Sequence, residues 1–172
     1  MSVCLRHETP ADEAAIAAVT IAAFRNAAHS GHNEHRIVGA LRAAGRLTVS
    51  LVAEADGQVV GHAAASPVTV SDGTQGWYGL GGPVSVSPEH HDRGIGIGSS
   101  LVREVLRFLA DRHAAGCVVL GEPAYYGRFG FRPQPGLVLP GVPPEYFQAL
   151  AFRSTMPSGR VSYDEAFMVS AE

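Results

Sequence analysis

The chain has 172 residues, 46% hydrophobic and 17% charged, with a formal net charge of −3. This predicts one domain over residues 1–172 with a core of its own, and the mild acidity argues against general attraction to nucleic acid or to an anionic membrane. All 13 basic residues are arginines, so Schiff-base, pyridoxal-phosphate and lysine-dependent P-loop chemistries drop out together.

Cys4 and Cys117 are too few and too far apart for a thiolate zinc cage or a disulfide framework, which fits a reducing, cytoplasmic setting. The first residues lack an apolar signal core, and no later run approaches the ~20 apolar residues of a membrane span, so the chain reads as soluble and unexported.

After a short apolar opening, Thr9-Pro10-Ala11-Asp12 supplies a capping threonine, a proline at the first helical position and a carboxylate three residues beyond the cap. A helix is expected to run to about Ala27, with Ile16, Val19, Ala23 and Ala27 inward and Phe24 widening the stripe. Asn33 caps a second helix that buries Ile37, Leu41 and Ala44, and Gly45 stands where a left-handed terminal residue is wanted. Two helices thus precede any long strand. The period then changes to two: Leu47 to Glu54 and Val59 to Val70 are joined by Ala55-Asp56-Gly57-Gln58, and Asp72-Gly73 turns into Trp77 to Val86, an antiparallel meander. Gly81-Gly82-Pro83 breaks the third strand, since glycine favours a bulge and proline removes a ladder donor.

A glycine-rich turn, Arg93 to Gly98, leads to an amphipathic helix from Ser99 to about Ala115 that buries Leu101, Val105, Phe108 and Leu109. Cys117 to Leu120 is a short buried strand, and strand, helix, strand implies a parallel pair in an otherwise antiparallel sheet. A short helix at Pro123 to Arg128 and a loop at Gly136 to Pro144 follow. Tyr146 to Phe152 and Val161 to Val169 are the expected closing strands, turning at Met156-Pro157-Ser158-Gly159.

The strongest chemical signal is the stretch Pro88 to Ser99 between strand and helix. A helix N-terminus exposes unpaired N–H groups and the positive end of the dipole, and glycines let an anion approach the main chain. A plain tight connection explains the same glycines. The dinucleotide fingerprint fails, because its third glycine position falls on Ser99 or Leu101 depending on the register.

Arg93-x-x-Gly96-x-Gly98 resembles the (Gln/Arg)-x-x-Gly-x-(Gly/Ala) pyrophosphate loop of the GNAT superfamily of N-acetyltransferases. Tyr125-Tyr126-Gly127-Arg128-Phe129-Gly130-Phe131 resembles its later F-Y-x-K-x-G-F signature. A second register, nearer the usual distance from the strand-ending proline, begins at His91 and uses Gly94 and Gly96. Both share Gly96. The resemblance implies an α/β (α+β) fold with flanking helices and a mixed, mostly antiparallel sheet whose central strand is bulged and splayed. It implies acetyl-CoA as cosubstrate, its pantetheine arm paired to the main chain of Val84 and Val86. His91, Arg93, Gly94, Gly96, Gly98 and Ser99 supply the candidate pyrophosphate contacts. A bulge N–H would stabilise the oxyanion, and Tyr126 would be the acid for the departing thiolate.

The expected reaction is direct transfer to a primary amine, on a small molecule or a peptide, in a ternary complex. An amine of pKa about 10.4 must lose a proton before it attacks; Glu34, Glu89, Glu122 and nearby histidines are the candidate bases. The alternative is a non-catalytic acyl-CoA-binding sensor or assembly module. No metal is expected: His29 and His35 would stand about 240° apart on a helix, so His29, His32 and His35 converge only if Ser30-Gly31 is irregular. Cys117 opens a strand, where burial makes a thiol inert, and Ser99 and Ser100 lack a nucleophile-elbow context. A homodimer is compatible with the sequence, but no surface identifies one.

Overall fold

The computed structural model describes residues 2–27, 30–81, 84–90 and 96–169. Strand β1 (Val3–His7) leads through a 3-10 turn (Pro10–Asp12) into helices α1 (Glu13–Phe24) and α2 (Glu34–Ala43). Strands β2 (Val49–Ala55), β3 (Gln58–Pro67), β4 (Thr69–Val70), β5 (Trp77–Leu80) and β6 (Ser85–Val86) come next, then helix α3 (Ile97–Asp111) and strand β7 (Gly116–Leu120). The single-turn helix α4 (Pro123–Tyr126) is followed by β8 (Arg132–Pro133), β9 (Leu137–Val138), β10 (Phe147–Ala151), β11 (Gly159–Ser162) and a 3-10 turn (Glu165–Met168).

The main sheet runs β1-β2-β3-β5-β7-β10-β8, with β6 also on β3. Its pairings are antiparallel except β5 with β7, which is parallel. The expected mixed, mostly antiparallel sheet is therefore present. Alternation along β2 divides the core: Leu51 and Ala53 join Leu101, Val105 and Leu109 of α3, while Val52 on the opposite face packs with Ile16 of α1 and Val38 of α2. β3 is sandwiched between the helices. A Cβ on its Gly61 would stand 3.0 Å from both Ile97 and Leu101.

The break in the third strand is as placed from the sequence, and its register gives the cause. Leu80 of β5 faces Ala65, whereas Ser85 of β6 faces His62, so five residues advance on one strand against three on its partner. Gly82 and Pro83, within this interval, lie outside the described residues. Beyond it β6 stays with β3, while β7 pairs with β5 only as far as Gly79 opposite Val118. β6 and β7 therefore diverge.

Several boundaries differ from the sequence reading. β1 precedes both helices and pairs with β2 along its whole length; Arg6, held by Asp12 and Glu54 at 2.7 and 2.8 Å, interrupts the apolar pattern that would mark it. α1 stops at Phe24, where Ala27 N–H turns to the Phe24 carbonyl. Asn33 is the N-cap of α2, but its amide donates to the Val169 carbonyl at 2.7 Å instead of being satisfied within the cap. Gly45 is left-handed, φ +70, as expected. α3 begins two residues early and ends at Asp111, because left-handed His113 redirects the chain. The expected strand Val161 to Val169 is strand only to Ser162, since Asp164 Oδ1 accepts from Ala166 N–H and winds the chain into a turn. β11 does not pair with β10. It joins β4 and β9 in a separate three-stranded sheet, and β9 lies in the stretch expected to be all loop.

Candidate active site

A cavity of about 770 Å³ lies between β6 and the segment that follows β7. Val84 and Val86 line one side, Tyr125, Tyr126 and Arg128 another, and Gly96, Ile97, Gly98 and Ser99 close the end at α3. Ala23 and Phe24 of α1 reach the same space, as does His90. The first helical bond of α3 runs from Ser100 N–H to the Gly96 carbonyl, 2.9 Å, so the amides of Ile97, Gly98 and Ser99 precede the ladder. No acidic residue stands in that first turn. Gly96, at φ +69, turns the chain into the helix through a conformation that glycine adopts without strain. A Cβ on Gly98 would come within 3.1 Å of the Tyr125 hydroxyl and 3.5 Å of Val86, so a side chain larger than a methyl would crowd this end. His91, Arg93 and Gly94 of the sequence reading lie outside the described residues.

Tyr126 is half-buried. Its ring covers Gly121, where a Cβ would lie 2.4 Å from the ring edge, and meets the rings of Tyr125 and Phe131 edge to face at 4.9 and 6.0 Å. Burial, then the neighbouring Tyr125 and Cys117, push the Tyr126 phenol up to about 12. It therefore carries its proton at neutral pH. Among the described residues, the arrangement offers a run of unpaired amides at one end, an open strand edge along the side and a protonated phenol on the opposite wall. That suits a long ligand with an anionic head and an amide-bearing arm.

The sequence model of the acetyltransferase (GNAT) family matches residues 14–131. The chain belongs to this family. The uncharacterized N-acetyltransferase YhbS of Escherichia coli K12 is 40% identical over 128 residues, 74% of this chain and 72% of that protein. A GNAT family acetyltransferase from Brucella melitensis, solved in complex with acetyl-CoA, is 51% identical with a TM-score of 0.84, covering 96% of this chain and 98% of that one. The structure of Escherichia coli YhbS in complex with CoA also gives a TM-score of 0.84 at 35% identity, over 97% of this chain and 92% of that one.

Within the GNAT cleft the base candidates separate. Glu122 lines the cavity; its carbonyl accepts the Tyr125 and Tyr126 amides, and its side chain makes no cap bond. Glu89 is exposed and is not on the cavity wall. Glu34 accepts from the Ser30 hydroxyl and lines a second cavity of about 200 Å³, with His32, His35 and Thr20. Phe24 is common to both cavities. His29 lies outside the described residues, and among those described no group of three or more His, Cys, Asp and Glu could hold a metal ion. Cys117 is fully buried, and burial pushes its thiol up to about 12, which leaves it unreactive.

Two features of this GNAT site escaped the sequence reading. Arg128 lies on the cavity wall with its guanidinium 4.4 Å from the Tyr125 ring centre. Its place in the second motif was visible, but its contact with Ser99, 29 residues away, was not. Tyr163 and Phe167, from a segment expected to be strand, cover the break: a Cβ on Gly79 would stand 2.5 Å from the Tyr163 ring, and one on Gly81 3.7 Å from Phe167. Nothing local in the sequence links either aromatic to those glycines.

Proposed function

We propose that this GNAT acetyltransferase is one domain, residues 1–172, that transfers an acetyl group from acetyl-CoA to a primary amine by direct attack in a ternary complex. The carrying observation is the single cavity that joins the open end of α3, the free edge of β6 and Tyr126. The Brucella relative bound to acetyl-CoA and the YhbS structure bound to CoA support the choice of ligand. When bound, acetyl-CoA supplies an acyl group already activated as a thioester.

The chain's residues then divide the work. The main chain of Val84 and Val86, on the side of β6 turned away from β3, takes the pantetheine amides. Gly96 and Gly98 admit the pyrophosphate to the first amides of α3, with Ser99 beside them, and the loop containing His91, Arg93 and Gly94 completes its surroundings. A main-chain N–H of the strand break stabilises the developing oxyanion. Tyr126 gives its phenolic proton to the sulfur as the carbon–sulfur bond breaks, and takes one back from solvent. The amine's own proton leaves through Glu122 or Glu34, the carboxylates on the two cavity walls. The acceptor, on a small molecule or a peptide, enters past Phe24 from the side of α1 and α2.

The setting is cytoplasmic, where Cys4 and Cys117 remain free thiols, and neither nucleic acid nor a membrane takes part. Among the described residues no helix is long and apolar enough to cross a membrane. Calorimetry with acetyl-CoA, followed by thiol release across a panel of amines, tests the proposal. Binding with amine-dependent CoA release is expected; absence of binding at high micromolar acetyl-CoA overturns it. Binding without release from any amine would favour a non-catalytic acyl-CoA module.

A further inference from the structure

We infer that the acceptor is a free diamino acid, whose side-chain amine is acetylated while its zwitterionic head, an ammonium and a carboxylate on one carbon, is held in the second cavity by Glu34 and Arg25. The inference rests on the acetyl-transfer reading above and names the acceptor class for it.

The second cavity, about 200 Å³, shares Phe24 with the cosubstrate cleft. Half-buried Glu34 and exposed Arg25 both line it. They come from different helices: Arg25 is the C-cap of α1, and Glu34 is the first residue of α2. Opposite charges on so small a space would be expected to meet, as they do where Arg6, Arg42 and Arg107 each hold a carboxylate. Among the described residues, however, Arg25 and Glu34 make no ion pair with each other or with any other group. The partner of Glu34 is neutral, the Ser30 hydroxyl, whose oxygen also accepts the His32 N–H at 2.9 Å. Neighbouring Asn33 is tied to the Val169 carbonyl at 2.7 Å. The carboxylate is thus fixed in place with its charge unneutralised.

Two opposite charges held apart forgo an attraction that a ligand bearing both charges restores. The head of a free amino acid does this, its ammonium at Glu34 and its carboxylate at Arg25. A plain diamine would set a second cation against Arg25, an ω-amino acid would offer Glu34 no ammonium, and a lysine within a peptide carries neither head charge. From the second cavity the ligand's methylenes run past the apolar ring of Phe24 and bring the remaining amine into the cleft of Tyr126. There its nitrogen bonds to the acetyl carbon, the carbon–sulfur bond breaks, CoA leaves as the thiol with the Tyr126 proton, and the amine proton passes to Glu122. Glu34, engaged by the head, is then not the proton acceptor.

The test is steady-state thiol release from acetyl-CoA with lysine and ornithine, beside cadaverine, ε-aminocaproate and Nα-acetyl-lysine amide. One of the two diamino acids should exceed each analogue in kcat/KM by roughly tenfold. Glu34→Gln should raise KM for that diamino acid roughly tenfold more than for ε-aminocaproate, and Arg25→Gln should raise it roughly threefold more than for cadaverine. Cadaverine or Nα-acetyl-lysine amide turning over as well as both diamino acids overturns the inference. So does a fall in kcat shared by all amines in Glu34→Gln, which would make Glu34 the proton acceptor. Release with some other amine but neither diamino acid overturns the inference alone, whereas no release with any amine overturns the acetyl-transfer reading beneath it. Circular dichroism checks both variants, and should Glu34→Gln not fold, Arg25→Gln at its exposed position decides the matter.

Discussion

Replacing Tyr126 by phenylalanine removes one oxygen and leaves the ring that covers Gly121 and meets Phe131, so packing is kept while the proposed acid is lost. The phenol is raised from 10.0 to about 12, chiefly by burial, which makes its ionisation harder by roughly 3 kcal/mol. The sign of that shift sets the pH profile. A raised acid keeps its proton until pH nears 12, so kcat should not decline between pH 9 and about 10.5, where an ordinary tyrosine would already be half ionised. Loss of a positioned acid costs roughly a hundredfold or more in rate. Tyr126→Phe should therefore lower kcat by about that factor, with the Kd for acetyl-CoA changed less than about twofold and the thermal midpoint unmoved. An acetyl donor whose thiol is more acidic than that of CoA should narrow the gap, because a better leaving group needs less help from an acid. Steady-state thiol release and calorimetry read all of these. A variant that keeps near-wild-type kcat, or whose defect lies entirely in Kd, would refute the assignment of Tyr126 as the acid.

Gly98→Val places methyl groups in a space already bounded by the Tyr125 hydroxyl and Val86, 3.1 and 3.5 Å from a Cβ; acetyl-CoA affinity should fall by at least about tenfold, and wild-type affinity in calorimetry would sink the cradle. His62 is fully buried, and burial, partly opposed by Glu8, lowers its pKa from 6.5 to about 4. The unfolded chain therefore takes up a proton below about pH 6.5 that the folded chain refuses, and stability should drop by about 2 kcal/mol between pH 7 and pH 5. Denaturant unfolding of His62→Gln should lose most of that slope; an unchanged slope contradicts the assignment. Iodoacetamide should label exposed Cys4 and spare buried Cys117 in the native chain, as mass spectrometry would report, and native-state labelling of Cys117 would contradict its burial.

What the sequence made legible was whatever repeats with a period or breaks one. Leu101, Val105 and Leu109 recur at helical spacing and are all buried under the sheet. Gly45 ends its helix in the left-handed form that its position requires. What stayed hidden depends on partners distant in the chain. A two-residue strand such as β4 or β9 carries no periodicity, and only its pairing with β11 makes it a strand. Tyr163 and Arg128 became site residues through contacts with Gly79 and Ser99, and no local pattern encodes either approach.

The cleft itself follows from a conflict between two strands. β3 offers three residues where the chain from β5 to β6 spends five, in a stretch whose glycines favour a bulge and whose proline removes a ladder donor. Closing that gap by deletion would restore a regular edge and allow β6 to follow β5 alongside β7. The open edge of β6, the divergence from β7 and the cavity between them would then vanish together, although the two flanking cores would remain. The irregularity is thus not a local defect near the site; it is the reason that two neighbouring strands present unused backbone groups to a ligand. The same reasoning explains why Trp77 is almost wholly buried on the β5 side, where pairing with β7 continues: the sheet stays closed up to Gly79 and opens where the register no longer permits it.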